Sequence, residues 1–275
     1  MKIASLLRRQ SREAAALEHL HHLWKEGKYE EAEAGARALE AEAGRLRRRG
    51  RGIAVAWYAR ALATAAACVH GRGAQVLAEL ESLIAELSGM AGPGRTLLLE
   101  IRNNRMVVLN GVERYAEAEA EGLEVLRNLT RLKHLVPVRD IELSVLSNMV
   151  RALCGQARYE EAEAIARGNL PRAEESTLAA LHHGLVRSLN GQGRHHEALT
   201  EARRLTPLWT RGHSGALATN TAAALHGLGH RSEAEAAVRE ALTECERFLH
   251  PDHPQAREAR TLLARITADD GTVNR

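Results

Sequence analysis

The sequence predicts an all-α fold, a solenoid of about six helical hairpins closed by a C-terminal capping helix. Three observations carry this. A short phrase recurs, Gly27-Lys28-Tyr29-Glu30-Glu31-Ala32, then Glu113-Arg114-Tyr115-Ala116-Glu117-Ala118 and Ala157-Arg158-Tyr159-Glu160-Glu161-Ala162, with related copies ending at Ala198 and Ala234 and a degenerate one ending at Ala78. These key alanines are 46, 40, 44, 36 and 36 residues apart, the spacing of stacked two-helix units. Nine residues before each stands a large aliphatic side chain: Leu23, Val69, Leu109, Leu153, Leu189 and Leu225. Composition agrees, because Ala, Leu, Glu and Arg dominate and only eight of 275 residues are aromatic. Such a chain favours close helix–helix packing and gives sheets little support.

Each hairpin follows one grammar: an apolar-periodic helix, a turn, then a helix opening on glutamates that complement its dipole. The first hairpin spans 3–48, turning at Gly27-Lys28. The second spans 53–88, where Gln75 and Val76 replace the tyrosine-glutamate signature. Gly89 to Gly94 link it to the third, 95–133, and the segment around Pro137 leads to the fourth, 138–169. In the fifth, 174–209, Leu178, Leu181, Leu185, Val186 and Leu189 recur at helical spacing, and Gly191 and Gly193 punctuate the turn. The sixth spans 213–249, with Gly227 and Gly229 at its turn. Asp252-His253-Pro254-Gln255 then supplies an N-cap acceptor, a first-turn proline and a capping-box glutamine for a helix over 254–266. That helix is expected to shield the last hairpin. Residues 1–267 read as one superhelical domain, and 268–275 as a tail.

The balance of charge excludes little by itself. Thirty-eight basic and 35 acidic side chains give a formal net charge of +3, which suits a mixed surface and does not call for nucleic acid. Cys68, Cys154 and Cys245 are odd in number and far apart, so no disulfide framework is expected. No signal peptide and no apolar run of about 20 residues is recognised. A cytoplasmic, membrane-free protein is the expectation.

The phrase Gly-Lys-Tyr-Glu-Glu-Ala resembles the helix junction of tetratricopeptide repeats, and the longer period is similar to their kinesin-light-chain subtype. Asn103-Asn104, fifteen and fourteen residues before Ala118, fit that subtype, as does Phe248-Leu249-His250-Pro251-Asp252-His253-Pro254. Ala256, Leu263 and Ala264 continue the match. The alanine- and arginine-rich style resembles that of actinobacterial members. The resemblance covers nearly the whole chain and implies a right-handed solenoid that binds a protein or peptide in a groove lined by the first helices.

It also implies where the groove residues fall. Fourteen residues before the key alanines stand Glu18, Thr64, Asn104, Asn148, Gly184 and Asn220. Asparagine both donates and accepts, so it grips an extended backbone without demanding a side-chain sequence; the alternative is that these side chains bond within the solenoid. Eleven residues before the key alanines are His21, Ala67, Val107, Arg151, Arg187 and Ala223. Arg151 and Arg187, in consecutive hairpins, are suited to clamping a carboxylate, or to pairing inside the fold. Asn110, Asn190 and His226 lie one helical turn further along. The candidate groove set is therefore Asn103, Asn104, Asn110, Asn148, Arg151, Arg187, Asn190, Asn220 and His226.

Other features point away from chemistry. The run Arg45-Leu46-Arg47-Arg48-Arg49-Gly50-Arg51 lacks interleaved aromatics for base stacking and sits where a helix ends. Histidine pairs such as His182-His183 and His195-His196 point apart on a helix, so no metal is expected. No phosphate loop, nucleophile elbow or zincin spacing occurs, and no cofactor or catalytic residue is expected. A non-enzymatic scaffold binding a protein or peptide with an acidic segment leads the readings. A peptide-responsive regulator and an auxiliary subunit of an enzyme complex are the alternatives. For a regulator carrying its own DNA-binding helices, the first repeat starts too early.

Overall fold

The computed structural model describes residues 12–47, 53–89, 93–132, 139–205 and 214–268. Two compact units divide the chain, Met1–Val108 and Leu109–Arg275. Thirteen α-helices and no strand occur among the described residues: α1 (Arg12–Lys25), α2 (Tyr29–Arg47), α3 (Ile53–Val69), α4 (Gly73–Leu87), α5 (Pro93–Gly111), α6 (Tyr115–Leu132), α7 (Arg139–Gly155), α8 (Tyr159–Asn169), α9 (Glu175–Gly191), α10 (His195–Leu205), α11 (Ser214–Gly227), α12 (Arg231–Phe248) and α13 (Pro254–Ala268). The all-α repeat expectation holds. A 3-10 turn at Leu170–Arg172 follows α8.

The repeated phrase is a turn before it is a helix. Five residues before the key alanine the backbone enters the left-handed region, at Gly27, Glu113, Ala157, Gly193 and Gly229. The next N–H then reaches back to the carbonyl nine residues before the key. Arg114 bonds to Leu109, Arg158 to Leu153, Arg194 to Leu189 and His230 to Leu225, each at 2.9 Å. This closure satisfies carbonyls that a helix end leaves open. It also explains the aliphatic column: Leu109, Leu153, Leu189 and Leu225 end each first helix pointing inward and are buried. The key alanines Ala32, Ala118, Ala162, Ala198 and Ala234 are fully buried, where a larger side chain would push the two helices apart.

The second hairpin corrects the expected register. Its left-handed residue is Gly71, and Arg72 N–H bonds to Ala67 at 2.8 Å. The key position is therefore the buried Val76, while Ala78 is exposed. The seam residue is Ala67 in place of Val69, and Leu62 takes the place expected for Thr64. Thr64 is buried and donates to the Ala61 carbonyl at 2.9 Å. A core of Leu80, Leu83, Leu87, Trp57, Leu62 and their neighbours holds this unit together.

Within the second unit, three kinds of contact lock successive hairpins. Eight residues before the key, Asn110 donates Nδ2–H to the Asn148 carbonyl at 3.0 Å, and Asn190 does the same to Asn220 at 2.9 Å. Between them Cys154 Sγ lies 3.9 Å from the Gly184 carbonyl in the same register. The ring that opens each second helix packs on a glycine of the next first helix: Tyr115 on Gly155, Tyr159 on Gly191 and His195 on Gly227. A Cβ at those glycines would lie 2.5, 2.3 and 2.3 Å from the ring atoms, so only glycine allows the approach. The residue after the key alanine closes the third lock. Glu119 accepts from Gln156 (2.8 Å) and Arg158 (2.7 Å), and Glu163 from Gln192 (2.8 Å) and Arg194 (2.6 Å).

The last helix, α13, buries Ala259, Leu262 and Ile266 against Ala222, Leu225, Ala234 and Val238 of the sixth hairpin. Its N-cap is His253 and not Asp252: Nδ1 of His253 accepts the Gln255 N–H at 3.2 Å. Pro254 occupies the first helical position, where its missing N–H costs nothing.

Candidate functional site

Equal spacing stacks equivalent residues of consecutive first helices on one face of the second unit. Arg151 on α7 and Arg187 on α9, both eleven residues before their keys, thereby come together, with Thr219, Asn220 and Ala223 of α11 beside them. The end of α5 brings Asn110, and α6 begins with Tyr115. From the opposite side α13 contributes Arg257 and Glu258. Together they border a recess of about 320 Å³. Its wall carries the guanidinium groups of Arg151, Arg187, Arg257 and Arg265 against the carboxylates of Glu113 and Glu258, so it favours an anion.

Arg187 is engaged: it meets the two Glu258 carboxylate oxygens at 2.9 and 3.0 Å. Burial works to lower its pKa, but Glu258, with Cys154 and Tyr115, outweighs this and the net shift is upward. For Glu258, burial acts upward and is outweighed by Arg187, Arg151 and His183, which hold the carboxyl below its usual range. Arg151 differs. It is half-buried and makes no hydrogen bond or ion pair with any described residue; burial, then Arg187, pull its pKa down, with Glu258 acting the other way. His183, on α9 behind the arginines, is pushed down to about 4 by burial, with both guanidiniums acting the same way. It is neutral at physiological pH. The Arg151 guanidinium is half-buried at the recess, and an incoming carboxylate would supply the direct contact it lacks.

The structure divides the remaining candidates. Asn110 is buried and its Nδ2 is spent on the Asn148 carbonyl, while its Oδ1 has no partner. Asn190 gives its Nδ2 to Asn220 and lies 3.3 Å from His195 Nδ1. Asn220 is 4% exposed, borders the recess, and reaches the His183 carbonyl at 3.5 Å. Asn148 and His226 are half-buried, both engaged within the protein, and neither borders the recess. Asn103 and Asn104 lie half-buried on α5 in the first unit. The arginine run falls largely outside the described residues, as does the expected tail. Among the described residues no group of three or more His, Cys, Asp or Glu is placed to hold a metal, and no helix is long and apolar enough to cross a membrane.

Glu258, Arg257, Tyr115 and His183 were not foreseen as site residues. Glu258 sits 71 positions from Arg187 on a helix recognisable only as a cap, and no spacing rule joins the two. Tyr115 was visible as part of the repeated phrase, and its place beside the recess follows from the stack.

No family model matches the chain, and no curated protein does. Solved structures do. A Rap protein complexed with Competence and Sporulation Factor superposes with a TM-score of 0.68 at 15% identity, covering 95% of this chain and 73% of that one. The apo form of RapI gives a TM-score of 0.56 at 12% identity, covering 96% and 73%. At such identities the likeness speaks for the fold: an all-α helical repeat of the tetratricopeptide type.

Proposed function

We propose that the protein is a non-catalytic binding module that holds a peptide or protein segment on the first-helix face of its second unit. Arg151 and Arg187 receive an acidic group of that segment. The observation that carries this reading is Arg151, a half-buried guanidinium that borders an open recess and makes no hydrogen bond or ion pair with any described residue. Asn220 and the unpaired Oδ1 of Asn110 border the same recess and suit a ligand backbone. The kinesin-light-chain type of repeat, with its asparagines on first helices, supports an extended ligand, and a cytosolic setting fits three free cysteines.

A second reading, a ligand-responsive regulator, is favoured by the solved structures of similar fold, one complexed with a factor and one apo. It is favoured too by α13, whose docking on the recess offers a part that a ligand can move. The test is a set of variants assayed against the same acidic peptide at two salt concentrations. Arg151→Gln removes a charge-assisted contact worth about 1.5–3 kcal/mol and weakens binding most at low salt. Asn220→Ala weakens it equally at both. Affinity indifferent to Arg151 would overturn the reading.

A further inference from the structure

We infer that Glu258 of α13 is a resident stand-in for the ligand's carboxylate, so that α13 gates the recess and an acidic ligand releases it. This rests on the proposed binding of an acidic group at Arg151 and Arg187. Three observations support it independently. In the Arg187–Glu258 pair a single nitrogen, Nη1 of Arg187, donates to Oε2 at 3.0 Å and lies 2.9 Å from Oε1, a charge-assisted contact that a ligand carboxylate could replace. The same helix is fastened to the far rim by its first turn: Arg257 Nη2 donates to the Gly111 carbonyl at 2.6 Å, and Pro254 lies over Gly111, where a Cβ would sit 3.1 Å from its Cγ. These groove-side contacts are few, whereas the adjoining face of α13 buries Ala259, Leu262 and Ile266 in the sixth hairpin, Leu262 also bordering the recess. A helix anchored by its apolar face, with one ion pair and one rim hydrogen bond on its groove side, can lose the ion pair without leaving the fold.

The charges set the direction. Glu258 contacts Arg187 directly and acts on Arg151 only at longer range, so Arg151 has no direct carboxylate contact among the described residues. A ligand bearing two neighbouring carboxylates satisfies Arg151 at once and competes with Glu258 for Arg187. Each shift toward the released form must be matched by the ligand's preference for that form. Removing the Glu258 charge abolishes the competition.

The probe is fluorescein-labelled triglutamate, with triglutamine as the neutral control, titrated into the full chain by fluorescence anisotropy. Glu258→Gln is expected to bind triglutamate at least tenfold more tightly than the unmodified protein, with no change for triglutamine. In the unmodified protein, triglutamate should speed amide exchange over residues 255–262 while leaving α9 as protected as before. Glu258→Asp, which keeps the charge but withdraws it from Arg187, should fall between, and serves if Glu258→Gln folds poorly. Triglutamate binding that needs Arg151 but is unchanged or weakened by Glu258→Gln overturns the gate and leaves the binding reading intact. No binding of triglutamate to either form overturns both.

Discussion

At the scale of single residues, backbone conformation and charge set the behaviour of the protein. Ala157 occupies a left-handed conformation (φ 58°) where Gly27, Gly193 and Gly229 occupy the equivalent turns. An L-residue there costs roughly 1–2 kcal/mol, part of which glycine's greater unfolded entropy offsets. Ala157→Gly should therefore stabilise the protein by about 0.5–1 kcal/mol, measured by urea unfolding. Histidine 183 gives a pH signature. Its folded pKa of about 4 lies below the ordinary 6.5, so the unfolded chain binds its proton first. The stability it lends is full above 6.5 and is lost as pH falls toward about 4. His182 and His195 are shifted the same way by burial. In the first unit Glu100 acts oppositely: burial raises it to about 7, and its contribution is lost as pH rises through that value. Hydrogen exchange followed from pH 7 to 4 should show the second unit loosening, less so in His183→Gln, and Glu100→Gln should remove the opposing trend from the first.

At the scale of elements, the locks between hairpins set the cost of substitutions. Gly191→Ala drives a methyl into the Tyr159 ring, and Asn190→Ala removes the bond to the Asn220 carbonyl. The first should cost about 1–3 kcal/mol by overpacking, the second about 1–3 kcal/mol because a buried carbonyl loses its donor. Thermal melting of the two variants checks both. Deleting residues 254–275 strips α13 from Leu225 and Val238 and should promote aggregation or loss of the sixth hairpin's helicity, seen by light scattering and circular dichroism. The elements were largely legible because the phrase repeats a turn as well as a helix. The second hairpin misled where alanine identity was followed: Ala78 is exposed, while Gly71, five residues before Val76, marks the true register. The asparagines were legible as a column, but Asn110 and Asn190 spend their donors inside the fold, an outcome that residue type alone does not separate from ligand binding.

At the scale of the whole molecule, the nearly balanced charge conceals a local excess of guanidinium groups, and that excess carries the functional reading. Arg151 and Arg187 were legible as equivalents in consecutive repeats. Glu258 was not, because its partnership depends on where the last helix lands and not on the period. The most direct test of the central claim needs no known ligand: selection of binders from a random peptide library on the immobilised protein, repeated on Arg151→Gln. Selected peptides should be enriched in Asp and Glu and bind the unmodified protein at least tenfold more tightly than Arg151→Gln, a difference of about 1.4 kcal/mol or more. Peptides without acidic enrichment, or acidic peptides that bind both forms equally, would contradict that claim.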